Sequence, residues 1–260
     1  MKVASRFMTG ALAAGAVALA LASPPATAAP STGPGSAVSA AALYREAIAT
    51  TRSWSVHYVS SSAQSTTSGA KVSLLESGDA GPASGTQTVY FSRGTSNGSI
   101  TIDVIGGITY VNGNTNGLEN LAGLSALQAA ASAGKWIDFA TTNPAFSQVV
   151  AGVRSRDIAQ ELALTGALTL GPPRTIHGVA VLAVEGTQSS AGSGSTRTGA
   201  HPRAVLYVRA QGRHVPVEED LVDAKGRPTG ALHVTYSNWG ELVRPLAPLA
   251  ALSFGPVTTT

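Results

Sequence analysis

The stretch from Ala204 to Gly240, AVLYVRAQGRHVPVEEDLVDAKGRPTGALHVTYSNWG, decides the fold. Val205, Tyr207 and Arg209 share one face of its first run, and Leu206 and Val208 share the other. Gln211-Gly212-Arg213 interrupts the alternation before Val215, Val217, Glu219 and Leu221 resume it. Lys225-Gly226-Arg227-Pro228 marks a second turn, and Leu232, Val234 and Tyr236 form a third run. A period of two bounded by glycine turns is the pattern of antiparallel strands. The connections are too short for a helical crossover, so consecutive strands pair as a meander. Apolar residues occupy both faces, which predicts a sheet partly covered on both sides.

The same alternation recurs toward the N-terminus, at Trp54–Val59, Ala70–Glu76, Thr86–Phe91, Ser99–Val104 and Ile108–Asn112, with glycine-rich turns between them. Lys135–Phe139, Ala167–Leu170, Arg174–His177 and Val179–Thr187 read as further strands. Ser36 or Ser39 can cap a helix running to about Thr51. Asn116 to Ala131 reads as the clearest helix, with Leu118, Leu121, Leu124 and Leu127 at three-residue spacing and Gly134 as its stop. Pro144 opens a short helix carrying Phe146, Val149 and Val150, and Ser155 is expected to cap another with Ile158 and Leu162. Gln188 to Pro202, rich in Ser, Gly and Thr, reads as a long loop. The order predicts an α+β fold: a strongly curved antiparallel half-barrel of about eleven strands, with helices packed on its concave side.

The closing meander resembles that of the LolA-like carriers, in particular the LppX/LprG group of bacterial envelope lipoproteins. The residues that carry the likeness are Leu206, Tyr207, Val208, Pro216, Val217, Val234, Thr235, Tyr236, Ser237, Trp239 and Gly240. Gly134-Lys135-Trp136-Ile137 adds a second shared feature. The resemblance spans roughly residues 38 to 255 and implies the LolA-like fold. For function it implies a carrier that binds lipid without catalysis. Envelope-stress regulators of related fold imply the alternative, a protein-interaction or sensor module that uses the same sheet without a lipid cavity.

Lys2 and Arg6, an apolar run from Met8 to Ala22, and Ala26-Thr27-Ala28 have the form of a secretory signal peptide, cleaved after Ala28. Residues 29–36 then form a Pro/Gly/Ser linker expected to be disordered, and 37–256 one domain. Leu21-Ala22-Ser23 begins like a lipobox, but Pro24 stands where the lipidated cysteine would be, and the chain has no cysteine. A protein outside the cytoplasmic membrane, secreted or in the envelope but not lipid-anchored, is expected. Without Lys2 and Arg6 the formal charge falls from +3 to +1, and charged residues are only 12% of the chain. Nucleic acid is therefore excluded as a partner, since it demands clustered Lys and Arg.

Motifs for chemistry are weak. Gly94-Thr95-Ser96-Asn97-Gly98 matches a nucleophile elbow, but a strand follows it where the elbow needs a helix. His57, His177, His201, His214 and His233 show no helical ligand spacing, although His57 and His233 could meet across strands. Glu218-Glu219-Asp220 with Asp223 reads as a solvated sheet edge. No catalytic residue, metal ligand or cofactor is expected. The expected ligand is a lipid or other hydrophobic molecule, with a membrane or envelope protein as a transient partner. Its cavity would be lined by Leu118, Leu121, Leu124, Phe146 and Val150. A sixteen-carbon chain gains on the order of 12 kcal/mol from burial at about 0.8 kcal/mol per CH₂, so such binding needs no polar motif.

Overall fold

The computed structural model describes residues 39–65, 70–143, 149–150, 152–188 and 202–254. Helix α1 (Ala40–Ser53) opens the described chain, with Ser39 as its N-cap. A first meander follows: β1 (Val56–Ser65), β2 (Lys71–Ala80), β3 (Gly85–Arg93), β4 (Ser96–Ile105) and β5 (Ile108–Gly113). Helices α2 (Thr115–Asn120) and α3 (Ala126–Ser132) lead to β6 (Ile137–Ala140). Then come α4 (Ser155–Glu161), β7 (Leu164–Leu170), β8 (Arg174–Ile176), β9 (Val179–Gln188), β10 (Arg203–Arg209), β11 (Pro216–Val222), β12 (Pro228–Ser237) and β13 (Leu252–Ser253).

The strands form one curved, unclosed sheet in the order β13-β6-β5-β4-β3-β2-β1-β12-β11-β10-β9-β7, with β8 beside β9. The expected α+β half-barrel is what the chain forms, with thirteen strands among the described residues against about eleven expected. The β10–β11–β12 meander pairs as read, and β12 then pairs with β1 to join the two halves. Strand β10 is buried at every interior position from Ala204 to Val208, because it is covered on both faces. No local pattern marks β13, which adds in parallel to β6 through Leu252 and Ser253.

Two apolar clusters fill the inner face. One gathers α1 and α4 through Leu43, Ala47, Ile158 and Ala159 onto Tyr58, Leu206 and Val234. The other gathers Leu118, Leu121 and Leu124 onto Phe91, Ile100, Ile102 and Val111. A smaller cluster on the outer face joins Val205, Tyr207 and Val222 to Ile176 and Val179. Ser155 does not cap α4: Arg154 holds that position, and the Ser155 hydroxyl donates to the Arg52 carbonyl, tying α4 to the end of α1.

The helix expected over Asn116–Ala131 is broken in two. Gly123 adopts a left-handed φ of 73°, and Ser125 with Gln128 starts α3 with a capping box. The leucine stripe therefore divides: Leu118, Leu121 and Leu124 are buried, while Leu127 is 82% exposed. The helix expected from Pro144, and Phe146 with it, lies outside the described residues, as do the leader, the linker and most of the 188–202 loop. No helix among the described residues is long and apolar enough to cross a membrane.

Candidate functional site

Helix α2 is pressed onto β4. The Asn114 side chain accepts from Gly117 N at 2.8 Å and from Ser99 N at 3.2 Å, holding the helix start against the strand. A Cβ on Gly117 would overlap the Ser99 carbonyl, and one on Gly98 would overlap the Phe91 ring. Glycine at both positions is what allows this approach. Beside the contact, an open hollow of about 590 Å³ is lined by Ser62, Leu74, Phe91, Gly98, Asn114 and Gly230, among others. That volume lies within the range of small-molecule pockets, roughly 300–1,000 Å³.

Leu118, Leu121, Leu124 and Val150 do not line this hollow; they lie behind it, at most 7% exposed, in one buried cluster. Leu74 and Phe91 belong both to that cluster and to the lining of the hollow, so the opening is continuous with the core beneath α2 and α3. Their inward parity was legible, since both sit at alternating positions of strand runs. Which parity faced the helices was not.

Buried polar groups lie among the residues of the first inner cluster. Tyr58, Glu76 and Glu219 are at most 2% exposed, and the Tyr236 hydroxyl donates to Glu219 Oε2 at 3.4 Å. Burial, with the charge of Glu76 next, holds the Tyr58 hydroxyl well above its ordinary pKa, so it stays a neutral donor. Tyr44 bridges α1 to the start of β7: its hydroxyl donates to the Leu162 carbonyl at 3.1 Å and accepts from Leu164 N at 2.8 Å.

The acidic run is not a solvated edge. Strand β11 lies between β10 and β12, and Glu219 and Asp220 are 0% and 5% exposed. Glu219 points inward, while Glu218 and Asp220 point to the outer face beside His233. Burial, then the neighbouring Asp220, raises the Glu218 pKa above the ordinary carboxylate value. His57 and His233 do not meet. Each sits four ladder positions from the other along the β1–β12 pair, His57 opposite Ser237 and His233 opposite Ser61. They take separate carboxylates, Asp79 at 2.7 Å and Asp220 at 2.9 Å. Ser96 opens β4 after the Gly94–Thr95 turn, with Arg93 paired to it, so this segment is a hairpin with no helix after the serine.

No protein-family model matches the chain, and no curated relative matches it. Among solved structures, LprF from Mycobacterium bovis is 13% identical with a TM-score of 0.47, over 80% of this chain and 96% of that one. The Mycobacterium tuberculosis lipoprotein LppX is 16% identical with a TM-score of 0.42, over 79% and 97%. The chain is similar to the LppX/LprG group. The Pseudomonas aeruginosa MucA/MucB complex gives 12% identity and a TM-score of 0.38, over 79% of this chain and 58% of that one. At such identities a likeness speaks to fold, so what the site does rests on its own geometry.

Proposed function

We propose that the chain is an exported, non-enzymatic binding or carrier protein for a lipid or another hydrophobic molecule. The observation that carries this reading is the hollow floored by Leu74 and Phe91 and continuous with the cluster under α2 and α3. In this reading an acyl chain enters past Ser62 and Asn114 and lies against Leu118, Leu121, Leu124 and Val150 as the two short helices give way. Burial of a sixteen-carbon chain supplies on the order of 12 kcal/mol, against which stand the costs of association and of opening the core. Residues 37–256 act as one carrier domain, delivered outside the cytoplasmic membrane by the leader 1–28 and handing its cargo to a membrane or an envelope protein.

The dense packing around Leu118, which is 0% exposed, favours a second reading: an interaction module that presents the same sheet to a protein and holds no lipid. Native mass spectrometry of protein purified from its own host separates the two. A carrier shows an apolar adduct and binds a fluorescent fatty acid, and Ser62→Trp, which fills the mouth of the hollow, lowers retention while the circular dichroism spectrum is kept. Protein with no adduct that also fails to bind the probe, or a folded Ser62→Trp variant with undiminished retention, overturns the carrier reading.

A further inference from the structure

The outer face of the sheet carries a cluster that the carrier reading does not use. Glu218 and Asp220 are alternate residues of β11, so both side chains project from the same face. The β11–β12 register sets Asp220 opposite His233. A carboxylate oxygen from each acid and a ring nitrogen of His233 all lie within 4.8 Å of one another. A second imidazole arrives from a different element, the turn between β8 and β9. There His177, at a left-handed φ of 48°, places Nε2 3.6 Å from Glu218 Oε2.

Four ligands at about 2.0–2.2 Å from a tetrahedral ion stand roughly 3.4 Å from one another. Asp220 Oδ1 and His233 Nδ1 stand 2.9 Å apart and Glu218 lies within 4.8 Å of both, whereas His177 meets the cluster through Glu218 Oε2, at 3.6 Å. We propose that Glu218, Asp220 and His233 form a three-ligand binding site for a divalent transition-metal ion of the zinc type, with His177 beside Glu218 at the rim. Two carboxylates neutralise the dication, and the His233 imidazole sets the preference. Imidazole suits zinc, cobalt and nickel, whereas calcium and magnesium favour ligand sets made of oxygen.

The burial pattern provides both a floor and an entrance. The Asp220 side chain is 7% exposed and Glu218 13%, while His233 is 44% and His177 71% exposed. A metal reaching the rim from solvent exchanges water for imidazole and then meets preformed carboxylates. Three protein ligands leave the fourth position to water, and His177 holds Glu218 from outside the ligand set. Through Glu218 and His177 the ion fastens the β8–β9 turn to the central strands, over the outer apolar cluster that Ile176 and Val179 cover.

The test titrates chelator-stripped protein with Zn²⁺ alone, and with Co²⁺ for its visible absorption. One equivalent of each is expected to bind, Co²⁺ with the spectrum of a four-coordinate site and without competition from Ca²⁺ or Mg²⁺. His177→Asn, which tolerates the left-handed turn, should weaken Zn²⁺ by roughly the 10–100-fold that loss of an outer-shell partner costs, and His233→Ala by more than that. His57→Ala, at the separate pair with Asp79, should change nothing. Absence of stoichiometric binding, or binding that survives in the folded double variant of His177 and His233, overturns the site and leaves two ordinary ion pairs.

Discussion

The division of the leucine stripe makes a paired stability prediction. Leu118 is 0% exposed and packs among Phe91, Ile100 and Val111, whereas Leu127, nine residues on, is 82% exposed on α3. Leu118→Ala removes three carbons from a filled core. The transfer term alone is about 2.4 kcal/mol at roughly 0.8 kcal/mol per CH₂. The cavity left behind brings the expected loss to about 2.7–5 kcal/mol. For a chain of this size each kcal/mol moves the midpoint by about 2–4 °C, so Tm should fall by about 5–20 °C. Leu127→Ala creates no void and should stay within about 0.5 kcal/mol of the parent, as exposed substitutions do. Urea unfolding followed by circular dichroism measures both. An unbroken helix from Asn116 to Ala131 with its leucines facing the sheet would make both variants costly. A loss above 2 kcal/mol at Leu127, or one below 1 kcal/mol at Leu118, would refute the broken-helix account.

Gly98→Ala forces a Cβ into the Phe91 ring beneath the start of α2, so overpacking should cost about 1–3 kcal/mol in urea and also lower fatty-acid probe binding, because Gly98 and Phe91 line the hollow. Asp103, on β4, has its pKa raised by burial, with a hydrogen bond from Thr86 opposing the shift. A raised carboxyl pKa means the folded state holds its proton longer than the unfolded one, so the penalty is absent in acid and grows as pH rises through the folded pKa. Asp103→Asn should therefore gain stability relative to the parent between acid and neutral pH, and a flat difference across that range of urea midpoints would contradict it.

All the described strands but β13 were legible because they are written locally: alternation sets the face, and glycine at Gly94, Gly106 and Gly226 sets the turn. The break in the leucine helix was also written, in Gly123 and in the Ser125 and Gln128 pair, but the regular leucines outweighed it. Four apolar residues three apart do not define one face of a 3.6-residue helix, and that mismatch was the available warning. The interior place of β11 was legible in the meander, because β10 and β12 flank it, and reading Glu218-Glu219-Asp220 as an edge overlooked that. What was not legible is the pairing of β12 with β1, whose partners are about 170–180 positions apart. Nothing local encodes that contact. The same pairing separates His57 from His233, and the β8–β9 turn brings His177 to Glu218, so the outer-face cluster exists only once the sheet is assembled.

That dependence also bears on where the inner face can open. Helix α1 has fourteen residues, buries Leu43, Ala47 and Ile48, and is joined to its surroundings by the Tyr44 hydroxyl and by Ser155. Helices α2 and α3 have six and seven residues, too few to be stable alone, and hold their places through Asn114, the Ser125 box and three leucines. Lifting them frees few intrahelical hydrogen bonds, and the apolar surface uncovered on the sheet is what an acyl chain would cover again. Lifting α1 would instead uncover the buried polar groups of Tyr58, Glu76 and Glu219, where an apolar guest restores none of the hydrogen bonds it displaces. On the proposed carrier reading, the buried carboxylates direct an acyl chain to the side of α2 and α3, where the hollow opens among β1 to β4 and Gly230.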